Sequence, residues 1–218
     1  MNEKEISVTV KAPYYTRGPQ GMPPRSIWVA CHGYGQMAKY FGRRFDVLDE
    51  QQDLLIVPQG LSRFYLDAHK GQYQHVGASW MTKERRELDI AAQMQYLDKV
   101  FDLETQKLNL EKVKLVLMGF SQGTATICRW AVHRRLPIDK LVIWGGNIAH
   151  EHTSTDWNFL PAHTEVLLVV GKTDQFFTPE KIGLLAGKIT KVIKKPRVVQ
   201  FDGGHEVKRE VLESIANS

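Results

Sequence analysis

Cysteine is scarce: Cys31 and Cys128 are the only two in 218 residues. A pair cannot build the disulfide framework of a small secreted module, nor the zinc site that paired CxxC motifs supply. Both stand in apolar stretches, WVACHG and ATICRW, which reads as buried thiols. Long hydrophobic runs are missing too. The most apolar segments, LVLMGF from Leu115 and VLLVVG from Val166, fall far short of the roughly 20 residues that cross a bilayer. The opening MNEKEISV lacks the apolar stretch of a signal peptide. A cytoplasmic location without stable membrane insertion is therefore expected. There is no internal repeat, no low-complexity tract and no nucleic-acid motif. The formal charge of +5 is divided among clusters at 83–86, 129–135 and 188–197. Each lies on an expected helix beside apolar positions, the pattern of solvated helix faces, so no nucleic-acid partner is expected.

What is present suits one α/β domain spanning 1–218, with 43% hydrophobic residues to fill a core. Residues 6–12 alternate and read as a first strand. After a turn-rich stretch come two apolar runs ending in glycine, 27–33 and 53–60, with a helix expected between Tyr40 and Glu50. Residues 61–82 read as a long aromatic loop. The spacing of Leu88, Ala91, Ala92, Gln95, Tyr96 and Val100 suits an amphipathic helix within 83–108. Strands at 114–120, 140–146, 165–171 and 197–201 then alternate with helices at about 123–135 and 179–194, and a short helix ends the chain. Continuous apolar strands separated by helices are the mark of a mostly parallel sheet covered on both faces, with no separate cap.

Between the strand LVLM and the helix after it stands Gly119-Phe120-Ser121-Gln122-Gly123, a G-x-S-x-G sequence in the strand–turn–helix context that exposes a nucleophilic serine. A serine hydroxyl needs a base within hydrogen-bond reach. In this arrangement the acid follows the serine in the chain and the histidine follows the acid. Asp174 lies just past one strand and His205 just past the last. Of the eight histidines, only His205 follows this acid. Asp156, in a polar loop with no strand before it, is the weaker alternative, and Asp202 is too near His205 in sequence. His150-Glu151-His152 lacks a third metal ligand at a recognisable spacing. His32-Gly33-Tyr34-Gly35 ends an early strand, where such a turn donates a backbone N–H to an oxyanion; Tyr34 and Gln122 are the expected donors, and His32 is read as a brace for the loop. Phe64, Tyr65, Tyr73 and Trp80 either line a substrate pocket or anchor their loop to the core.

HGYG, GFSQG, GKTDQF and DGGHE, in this order, resemble the phospholipase/carboxylesterase family of α/β-hydrolases, and are similar also to acyl-protein thioesterase-like and dienelactone hydrolase-like enzymes. The resemblance runs from about Ile27 to the end. It implies a cap-less α/β-hydrolase fold and esterase activity on short to medium acyl chains. By position it assigns Ser121, Asp174 and His205 to the triad, and Tyr34 and Gln122 to the oxyanion hole. The expected partner is a small-molecule ester or thioester, a homodimer is compatible with the chain, and no metal or organic cofactor is expected. Thioesterase, lysophospholipase and dienelactone-type chemistry would use the same residues, and an inactive binding protein of the same fold is the non-enzymatic alternative. The chain departs from the family in having Gln36 and Met37, not an acidic residue, after HGYG, and in the aromatic segment 60–84. Both departures bear on the substrate.

Overall fold

The computed structural model describes residues 1–218. In chain order the elements are β1 (Tyr14–Arg17), β2 (Ser26–Cys31), α1 (Ala38–Phe41), β3 (Asp53–Pro58), β4 (Ser62–Tyr65), β5 (Val76–Ser79), α2 (Arg86–Thr105), β6 (Lys114–Phe120), α3 (Gln122–Arg134), β7 (Lys140–Trp144), β8 (Glu165–Gly171), α4 (Pro179–Val192), β9 (Arg197–Phe201) and α5 (Arg209–Ala216). Seven strands form one sheet in the order β1-β3-β2-β6-β7-β8-β9; β4 and β5 make a separate hairpin. Only β1 runs antiparallel in the main sheet.

Alternation along the buried strands divides the core in two. Ile27, Val29 and Cys31 of β2 point into the cluster beneath α2, α3 and α4, whereas Trp28 and Ala30 point into the cluster beneath α1 and α5. This is why the strands read as unbroken apolar runs: both faces are covered. Helix α4 starts where its sequence dictates, with the Thr178 side chain accepting from Lys181 N and Pro179 in the first turn.

Four expectations are corrected. Residues 6–12 are not a strand; the first strand is β1, on the sheet edge. Its register pairs Tyr14 with Pro58, the last residue of β3, so anything before Tyr14 runs past the end of its partner. Ile6, Val8 and Val10 are exposed instead. The expected helix between Tyr40 and Glu50 is only the short α1 followed by a 3-10 turn at Gly42–Phe45. The 61–82 loop carries the β4–β5 hairpin. In α2 the buried face is Gln93, Met94, Leu97, Val100, Phe101 and Thr105, while Leu88, Ala91 and Ala92 are exposed. Apolar residues surround this helix, so a period of 3.6 selects no single face.

Candidate active site

The parallel strands deliver four loops to one sheet edge. Ser121 follows β6, Gly145 and Gly146 follow β7, Asp174 follows β8, and His205 follows β9. Their order across the sheet is the order of the strands, so chain topology alone gathers them at the carboxyl rim.

Ser121 sits at φ 53° and ψ −118°, a backbone conformation that costs a side-chain-bearing residue about 1–3 kcal/mol. It is held there by its N–H donating to Trp144 O at 2.9 Å and by Thr124 N–H donating to its own carbonyl at 3.1 Å. The turn closes only because its flanks are bare. A Cβ on Gly119 would lie 2.3 Å from Thr124 Cα, and one on Gly123 would lie 2.2 Å from Cys31 O. The second of these contacts seats the start of α3 directly against the end of β2. Gly146 is equally confined, 2.3 Å from Ser121 O, and Gly33 less so, with Ser121 Cβ at 3.2 Å.

His205 Nδ1 lies 2.7 Å from Asp174 Oδ2. The Asp174 carboxyl is almost wholly buried, 1% exposed, and its other oxygen accepts from Phe176 N–H at 2.9 Å. A buried carboxylate only accepts, so Nδ1 carries the proton and Nε2 is left as the basic nitrogen. The imidazole packs between Phe120 and Phe176, with ring centroids at 4.9 and 4.8 Å, above Gly145. Ser121 and His205 line the same cavity of about 640 Å³. Their side chains are not hydrogen-bonded to each other; in hydrolase triads this bond often closes only with substrate in place.

The turn at residues 32–35 leaves one donor free. Gly33 N–H donates to Gln36 Oε1 at 2.8 Å and Gly35 N–H to Ala78 O at 2.8 Å, while the Tyr34 N–H between them has no acceptor. Gln122 N–H opens α3, where the first-turn amides have no intrahelical partner. His32 anchors this turn from beneath. It is fully buried, Nε2 accepts from Gly60 N–H at 3.0 Å, and Nδ1 is 2.8 Å from Gly33 O. Burial pushes its pKa down to about 4, outweighing the bond to Gly33, so the ring is neutral with its proton on Nδ1.

Two polar side chains escaped the sequence reading. Gln36 supplies the acceptor for Gly33 N–H. The Gln122 side chain is a clamp: Nε2 donates to Met81 O at 2.9 Å and to Ser79 Oγ at 3.1 Å, and Oε1 accepts from Trp80 N–H at 3.1 Å. Nothing in a G-x-S-x-G pattern signals either role.

The aromatic segment is placed differently from a pocket wall. Trp80 is buried, its indole N–H donates to His32 O at 2.7 Å, and its ring lies on the His32 ring. It anchors the core. Phe64 stacks on the Tyr34 ring, and Tyr65 meets Tyr73 edge-on at the surface. None of the four lines either of the two cavities that border His205. Arg129 also departs from expectation. It is not on a solvated face but buried, 5% exposed, with Nε 2.6 Å from Glu151 Oε1. Burial alone would raise the Glu151 pKa, but the Arg129 hydrogen bond and charge hold it down at about 2.

Fold and rim together define an α/β-hydrolase. Within that class the chain belongs to the phospholipase/carboxylesterase family, whose model matches residues 19–218. This places it among esterase- and thioesterase-type hydrolases. No curated protein matches it in sequence. Its structure is similar to acyl-protein thioesterase 2 of Zea mays, at 15% identity and a TM-score of 0.65, over 95% of this chain and 97% of that one. It is similar to a phospholipase/carboxylesterase of Dyadobacter fermentans, at 16% and 0.67 over 97% and 98%. It is similar also to a carboxylesterase of Mesorhizobium loti, at 14% and 0.70 over 94% and 93%. At these identities the likeness is one of fold. No helix is long and apolar enough to cross a membrane.

Proposed function

We propose that this chain is a serine hydrolase that cleaves carboxylic esters or thioesters through an acyl-enzyme, with Ser121 as nucleophile, His205 as base and Asp174 as its partner. The observation that carries the reading is the buried Asp174 carboxylate on His205 Nδ1, which leaves Nε2 as the basic nitrogen of a ring that lines the same cavity as Ser121.

The steps follow from the groups present. Ser121 Oγ bonds to the substrate carbonyl carbon as His205 Nε2 takes the hydroxyl proton, and the carbonyl oxygen becomes an oxyanion. The free amides of Tyr34 and Gln122 face that charge, reinforced by the N-terminus of α3. Collapse breaks the bond to the alcohol or thiol, which takes the proton back from Nε2. Water, deprotonated by the same nitrogen, then releases the acid and restores Ser121. Asp174 keeps the proton on Nδ1 and steadies the imidazolium throughout.

Hydrolysis of p-nitrophenyl acetate and butyrate tests this. Ser121→Ala is expected to lower turnover by roughly 10⁶-fold, the scale seen when a triad serine is removed. A fluorophosphonate probe is expected to label wild type and not the variant. An undiminished rate in Ser121→Ala, or a wild type that the probe leaves unlabelled, would exclude this nucleophile.

A further inference from the structure

The cavity beside Ser121 is a groove between two helices, and its charge is one-sided. One wall is a single stripe of α3: Gln122, Ala125, Thr126 and Arg129. The facing wall is a single stripe of α4: Lys181, Leu184, Leu185 and Lys188. Both stripes have the i, i+3, i+4, i+7 spacing of one helix face. Of the titratable groups lining the groove, three are cations besides His205, and none is an aspartate or glutamate.

The cations are not equivalent. Arg129 is answered by Glu151 from outside the groove. Lys181 has no carboxylate within ion-pair distance, and its Nζ reaches only Phe176 O, at 3.3 Å. Lys188, half-buried, has no hydrogen-bond or ion-pair partner of any kind. An ammonium without a counter-charge raises the potential of the space around it, and the low-dielectric wall at buried Leu185 concentrates that field.

From Gln122 to Arg129, or from Lys181 to Lys188, is two helical turns, about 10 Å. The groove thus runs from the nucleophile past an apolar stretch, Ala125, Leu184 and Leu185, between cationic ends. We infer that the substrate is an anionic ester or thioester, one carrying a carboxylate or phosphate within about 10 Å of the scissile carbonyl, which Lys181 and Lys188 select. This rests on the esterase reading above and narrows it: a neutral acyl chain would satisfy the leucines and leave both ammoniums without a counter-charge.

The test compares pairs of esters that differ in charge. Mono-p-nitrophenyl glutarate, set against p-nitrophenyl valerate of the same acyl carbon count, places a carboxylate in the acyl half. The acetyl ester of glycerol 3-phosphate, set against glyceryl monoacetate, places a phosphate in the alcohol half. At low salt, kcat/KM is expected to favour the anionic member of at least one pair by about tenfold, the combined effect of two partly exposed ion pairs. The pair that shows it identifies the half that enters the groove. Lys181→Met with Lys188→Met is expected to abolish the preference. Lys181→Arg with Lys188→Arg, which keeps both charges, is expected to retain it. Added salt is expected to weaken it. Equal kcat/KM within both pairs, or a preference that survives the double methionine change, overturns the inference while leaving the esterase reading standing. No turnover of any of the four esters overturns that reading, and this one with it.

Discussion

Acid should loosen this protein through His32. Folded, the buried ring takes a proton only near pH 4; unfolded, near its ordinary 6.5. Between those values the unfolded chain binds more protons, so stability falls as the pH falls. His32's contribution is complete above about 6.5 and lost by about 4. A gap of about 2.5 pH units, at ~1.4 kcal/mol each, amounts to about 3.5 kcal/mol, of which about 3 kcal/mol is lost by pH 4. That is a large part of the 5–15 kcal/mol or so that typically holds a domain together. The measurement is urea unfolding at half-unit steps from about pH 7.5 to pH 4, for wild type and His32→Gln. At pH 7.5 the variant should be much the less stable, having lost the acceptor for Gly60 N–H and the ring against Trp80. The gap between the two proteins should then shrink by about 3 kcal/mol on acidification. His152, also lowered by burial, loses stability on acidification too, but in both proteins, so it cancels. The lowered carboxylates Asp67, Glu151, Asp156 and Asp202 cancel likewise. A gap that stays constant from pH 7.5 to 4 would refute the account of His32 as a neutral brace.

Two further outcomes follow from burial. Trp80→Ala removes a fully enclosed indole and its bond to His32 O, and should cost about 3–5 kcal/mol, seen as a fall in Tm of roughly 10 °C; a changed substrate preference at unchanged Tm would instead make Trp80 a pocket residue. Cys31 and Cys128 are enclosed in the core, and burial drives both thiols up, Cys128 to about 12. Iodoacetamide should therefore alkylate neither in the native protein and both in denaturant, and rapid native labelling would contradict the packing.

The sheet and the rim were legible because their signals are local or topological. An apolar run ending in glycine before a helix needs no tertiary information to be read as a buried strand. The order serine, acid, histidine after successive strands brings Asp174 and His205 to one edge without knowledge of any distance. The groove was not legible. Arg129 and Lys188 sit in basic clusters that resemble solvated faces, Lys181 stands outside any cluster, and the three line one groove only when α3 and α4 face each other across the residues after β7. Gln36 and Gln122 were missed for a related reason: a glutamine satisfying loop amides leaves no periodic trace. The aromatic segment was read with two roles open, and what decides it for Trp80 is remote: its indole N–H donates to a backbone carbonyl 48 positions away in sequence.

The glycines crowded around Ser121 have one more implication. A Cβ at Gly119, Gly123 or Gly146 would lie 2.3 Å or less from neighbouring backbone, so the turn that carries Ser121 is closed to evolutionary tinkering. Helix α4 is under no such restriction: Leu184, on its groove side, is largely exposed, and a Cβ at Gly183 or Gly187 would meet nothing within 4 Å. A lineage diversifying from this ancestor would change its diet by rewriting one helix and leave the chemistry untouched, and a directed-evolution library aimed at new esters belongs on that helix.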